Sequence, residues 1–132
     1  MPYAFEFDSG SRTLRGRLEG RVNDADLKNY CHDFTTRITL TEPLVGITDL
    51  SEVTFFDVSR QTILDLAALQ PVIAGREPLR IIIATAPHVF GMARMFELEG
   101  RSAHPNVHVV HTRQEAYGIL GVTEPQFEPC TK

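Results

Sequence analysis

Ser59 stands where residue type and position most readily combine into chemistry. The stretch Asp49-Leu50-Ser51-Glu52-Val53-Thr54-Phe55-Phe56-Asp57-Val58-Ser59 leads from an apolar run, Leu44 to Leu50, into an amphipathic segment running towards Gln70. The run predicts a buried strand, Ser51 to Asp57 a connector, and Ser59 the start of a helix. A serine there has two readings. As an N-cap it accepts an N–H bond from the first turn and stabilises the helix on that ground alone. As a phosphorylation or partner-contact residue it would set about −1.5 to −2 charges against the positive helix end, favoured by Arg60 and opposed by Asp57. A surface built for a neutral hydroxyl would then bind less well. Thr54, Asp57, Ser59 and Arg60 form the expected contact set.

A strand-serine-helix order also suggests a hydrolase nucleophile, the most distant of the readings. That motif wants glycine two residues either side of the serine, and Asp57 and Gln61 stand there. No catalytic residue is assigned. His104, His108 and His111 form the only histidine cluster, but His108 and His111 on an extended strand project to opposite faces. They read as surface or strand-end residues, and no metal is expected. Phosphate loops are absent: Gly16-Arg17-Leu18-Glu19-Gly20 lacks the length and lysine of a P-loop, so no nucleotide or other cofactor is expected. Met92, Met95, Phe96 and Leu98 make a wider apolar surface than one core stripe needs. Ordinary packing explains it, and the alternative is a pocket for a small hydrophobic ligand or lipid.

These residues need a scaffold. Tyr3 to Phe7 alternates, Asp8-Ser9-Gly10-Ser11 turns, and Arg12 to Glu19 reads as a second strand ending at Gly20. Asn23 or Asp24 caps a first helix with Leu27, Tyr30, Phe34 and Ile38 on one face, Cys31 beside them, and a break at Glu42-Pro43. The second helix carries Ile63, Leu66, Ala67 and Ile73 to the core and ends at Gly75. Leu79 to Ala86 is a nearly continuous apolar run, the mark of a strand covered on both faces. Pro87 opens a third helix reaching Leu98 and Gly100, and Asn106 to Val110 is a strand. Thr112 and Glu115 form a capping box for a last helix docked by Ala116, Ile119 and Leu120 and closed by Gly121. This order predicts an α/β fold with a mostly parallel five-stranded sheet, an antiparallel N-terminal strand and about four helices. Residues 1–121 make the domain, and 122–132 a flexible or extended tail.

Composition narrows the function classes. The 132 residues suffice for one core, and 42% hydrophobic with 23% charged residues is ordinary globular usage. A net charge of −4 with scattered basic residues argues against nucleic acid. No apolar run approaches the ~20 residues needed to span a bilayer, so no stable membrane insertion is expected. The N-terminus does not read as a signal peptide, and Cys31 and Cys130 fit no redox or metal spacing. A cytoplasmic location is the expectation.

Three segments carry a resemblance. Leu18-Glu19-Gly20-Arg21-Val22-Asn23 is similar to a Leu-x-Gly-x-Leu-Asp segment, and Asp49 to Ser59 to an Asp-Leu-Ser-x-Val-x-Phe-x-Asp-Ser-Ser segment. With the Ile81 to Thr85 strand and the Thr112 to Gly121 ending, the chain resembles the STAS family, the sulfate-transporter and anti-sigma-factor-antagonist domains, including SpoIIAA-like bacterial proteins. The resemblance implies a non-catalytic regulatory module that binds a protein partner, including an anti-sigma-factor-like kinase. It also implies a phosphorylatable serine matching Ser59 and an acidic residue matching Asp57. Two positions depart from the pattern. Val58 stands where regulated members commonly carry serine, and Arg60-Gln61 replaces their Gly-Leu pair, filling space that a partner's backbone would otherwise approach. Oligomeric state is left open.

Overall fold

The computed structural model describes residues 2–69, 78–121 and 125–130. A six-stranded sheet runs in the order β5-β4-β3-β2-β1-β6, with β1 Tyr3–Asp8, β2 Thr13–Asn23, β3 Val45–Asp57, β4 Leu79–Ile83, β5 Val107–Val110 and β6 Glu128–Pro129. Strands β2 to β5 are mutually parallel, while β1 lies antiparallel to β2 and to β6. The helices are α1 Asp24–Thr41, α2 Arg60–Ala68, α3 Pro87–Glu99 and α4 Arg113–Leu120. The sixth strand comes from the segment read as a tail, where Glu128 pairs with Phe7 and Pro129 with Glu6.

Two strands run further than their sequences suggest. Gly20 reads as a terminator, yet β2 continues to Asn23, with Gly20 at φ 70 inside the strand. The expected connector Ser51 to Asp57 is strand as well, because the extended β2 gives it a partner. Register explains the misreading. From Arg17↔Asp49 to Glu19↔Glu52, and again from Gly20↔Val53 to Arg21↔Phe55, β3 advances one residue more than β2. Each extra residue is a bulge that bends the strand and breaks its alternation. Thr54 is the second of them. Strand β4 stops at Ile83, three residues before the expected end. Helix α2 ends at Ala68, so Ile73 and Gly75, expected to bury and to close it, lie outside the described residues.

The first three helices cover one face. Leu27, Tyr30 and Phe34 of α1, Ile63 and Leu66 of α2, and Val89 and Ala93 of α3 bury against Leu14, Leu18, Leu50 and Ile82 of the sheet. Close approach at α1 depends on two glycines. A Cβ on Gly16 would lie 2.2 Å from Tyr30 Oη, and one on Gly46 would lie 2.7 Å from Phe34 Cζ. The other face carries a smaller cluster, Ile47, Ile81, Ile83 and Val110 under Ala116 of α4. Ile119, expected to dock α4, is 49% exposed.

Candidate functional site

Three of the four contact residues named from sequence come together where β3 gives way to α2, with Thr54 a short way back along β3. Strand β3 ends at Asp57, beside Asn23 at the end of β2. Val58 is buried and anchors the turn in the core, so it cannot substitute for a surface serine. Ser59 caps α2: its Oγ accepts the Thr62 N–H at 3.2 Å and lies 3.1 Å from Thr62 Oγ1. Thr54, Asp57, Ser59 and Arg60 are all exposed. The bulge at Thr54 also turns Phe55 outward, 48% exposed, with the Arg21 guanidinium 4.7 Å from its ring centroid.

A residue without a functional role in the sequence reading completes this site. Asp24, the first residue of α1, accepts the Ser59 backbone N–H at 2.7 Å through Oδ1. Asn23 already caps α1 through a reciprocal pair of bonds with Asp26. That leaves the Asp24 carboxylate free to serve the N-terminus of α2. The Ser59 backbone bond, aided by the Thr62 and Ser59 side chains and by Lys28, holds its carboxyl below the usual aspartate range. Two cap-type residues in succession, of which one helix needs a single one, were the available signal. Their meeting with Ser59 spans 35 residues and has no local signature.

An acidic group therefore already sits where a Ser59 phosphate would seek the helix's positive end. Phosphorylation would bring two like charges together. The hydroxyl itself can donate to an acceptor or accept from a donor.

The histidines lie elsewhere. His88 packs edge-on to Phe56, His104 is buried and stacks on Phe96, and His111 stacks on Phe90 with centroids 4.0 Å apart. His104 is thus a core residue, not the surface or strand-end histidine expected. Among the described residues no histidine is hydrogen bonded to Ser59, and no group of three or more His, Cys, Asp or Glu is placed to hold a metal ion. Nor is any described helix long and apolar enough to cross a membrane. Thr112 caps α4, but the reciprocal bond from Glu115 reaches the His111 N–H, one residue before the position a capping box uses.

The apolar surface of α3 divides. Met92, Met95 and Phe96 pack partly buried against the core, Phe96 also lining a cavity of about 50 Å³ between the sheet and helices α1, α2 and α3, whereas Leu98 is 50% exposed.

Neither a family model nor a curated protein matches this chain. Solved structures do. The phosphorylated form of the Bacillus cell fate determinant SpoIIAA is similar at a TM-score of 0.55 and 19% identity, over 89% of this chain and 99% of that one. The unphosphorylated form of the anti-sigma factor antagonist SpoIIAA is similar at 0.53 and 17% identity, over 92% of this chain and 100% of that one. The fold is STAS-like, of the SpoIIAA type.

Proposed function

We propose that the protein is a non-catalytic regulatory module that binds a protein partner through the surface from Thr54 to Arg60. The observation that carries this reading is the exposed group of Phe55, Asp57, Ser59 and Arg60, fixed from beneath by Val58 and from the side by Asp24. An exposed aromatic beside an arginine is the composition of an interface anchor, and paired strands running into a capped helix start hold the surface at low entropic cost. The similar folds include one solved in a phosphorylated form and one described as an anti-sigma factor antagonist, which makes a regulatory partner the natural class. An anti-sigma-factor-like kinase is the partner type proposed. The site lies at the surface of a fold with no described membrane-crossing helix, in keeping with a cytoplasmic role.

Phosphorylation of Ser59 would act by displacing Asp24. The phosphate and the Asp24 carboxylate would compete for the same N–H groups, so the α2 start would shift and the partner would be released. Affinity capture from native lysate, quantified by mass spectrometry and followed by phosphosite mapping, tests both parts. Wild type and Ser59→Ala should retain a common partner that Ser59→Asp loses. Equal capture by all three proteins would remove Ser59 from the interface.

A further inference from the structure

Among the described residues, Arg80 is the single charged one lining the cavity between the sheet and the three helices. Arg15 and Arg17, also on the sheet, are paired with Glu6. No carboxylate of a described residue pairs with Arg80. Its guanidinium lies 4.9 Å from the Phe34 ring centroid and 5.8 Å from that of Phe96, with no hydrogen bond or ion pair among the described residues. Aromatic faces attract a cation but satisfy none of its N–H donors, so a planar fork of donors is held ready at the cavity wall.

The rest of the lining supplies a complementary environment. Leu50, Ile63 and Ala93 are buried and make apolar walls. Tyr30 Oη and Thr48 Oγ1 share one hydrogen bond at 2.7 Å, and either can donate it. Whichever hydroxyl accepts keeps its own O–H, so the lining residues Tyr30 and Thr48 retain one further donor between them. Cys31 also lines the cavity and is a neutral neighbour, since burial pushes its thiol up to about 11.

We propose that this cavity binds a short-chain monocarboxylate, with its carboxylate on Arg80 and its acyl tail among Leu50, Ile63 and Ala93. A guanidinium fork matches a carboxylate bidentately, and the apolar walls favour an anion with a tail over a fully hydrated one such as inorganic phosphate. Size sets the length. About 50 Å³ is far below the roughly 300–1,000 Å³ of pockets for larger ligands, which favours a short acyl chain. This site is independent of the Ser59 surface.

The test is an amide chemical-shift titration of the full chain with butyrate, 1-butanol and inorganic phosphate. Butyrate should give saturable shifts centred on Tyr30, Leu50 and Ile82, whereas butanol and phosphate should bind at least about tenfold more weakly, as loss of a charge-assisted bond implies. Arg80→Met, which keeps the apolar stem, should weaken butyrate by a similar factor. Ala93→Leu, which fills the cavity and leaves Arg80 in place, should abolish binding. Should Arg80→Met fail to fold, Ala93→Leu and the butanol comparison still decide. Absence of saturable butyrate shifts, equal binding of butanol or phosphate, or undiminished binding in either folded variant would overturn the proposal.

Discussion

The two faces of the sheet are held by different physics. Beneath α1, α2 and α3 lies an aromatic and aliphatic core in which Phe5 stacks on Tyr30 at 5.4 Å and Tyr30 and Phe34 approach to 5.7 Å. On the face of α4 a small isoleucine cluster gives way to a ladder of charges. Glu6 binds Arg15 and Arg17, Arg17 reaches Glu52, and Arg113 of α4 spans Glu52 and the buried Asp49. Phe127 covers one end, 4.0 Å above the Arg15 guanidinium. Apolar packing is penalised steeply for lost volume, whereas an ionic ladder spreads its strength over several contacts, each partly met by solvent. Damage should therefore be concentrated on the first face and graded on the second.

The largest effect should come from Phe34→Ala, which removes a ring seated on Gly46 and opens a cavity under α1. A loss of about 3–5 kcal/mol in urea unfolding is expected. A loss below that of the ionic-face variant would invert the contrast. Arg113→Met is next. It leaves Asp49, 1% exposed, with Ser51 as its only donor among the described residues, but Arg113 itself is 41% exposed and water partly replaces it. The expected cost is about 1–2 kcal/mol, below that of a fully buried pair, and it should shrink in high salt if the ladder is electrostatic. Salt-insensitive destabilisation would point to lost packing against α4 instead.

The smallest effect sharpens the boundary between the two regimes, where Tyr3 donates to Asp33 at 2.5 Å on the aromatic face. Burial first, then the Asp33 bond, raises its hydroxyl from 10.0 to about 12. A raised folded-state value favours the neutral form, so this contribution is fully present below pH 10 and fades as pH rises towards 12. Thermal midpoints of wild type and Tyr3→Phe, measured from pH 9 to 12, should differ at the lower end and converge at the upper. A constant difference would show that the hydroxyl's titration does not contribute.

Much of this architecture is legible locally. Asn23, Ser59, Thr112 and Pro87 mark their helix starts as the sequence suggests, because caps are chosen by the orphan N–H groups within a few residues. Leu79 to Ala86 reads as a doubly covered strand, and β4 is covered on both faces although it ends at Ile83. What escaped lies in pairings between distant segments. Gly20 carries a terminator's residue type but continues β2 alongside the bulge at Thr54, and only the partner strand reveals it. Asp24 is a second cap-type residue until α2 is brought beside it. Arg80 reads as one polar interruption of an isoleucine run, and its position between Phe34 and Phe96 follows from packing of two helices, α1 and α3, on one strand.

The short strand β6 has a consequence for how the molecule meets its neighbours. An open sheet edge offers unpaired N–H and C=O groups on which another chain can grow. At one side of this sheet β5 offers four residues, and at the other β6 offers two, one of them a proline without an N–H. Long β1 is thereby shielded at Glu6 and Phe7, with the Cys130 N–H closing on Phe5 O just beyond. Trimming the chain before Glu128 would expose that length as a template, turning a shielded margin into a site for self-association through edge-to-edge strand growth.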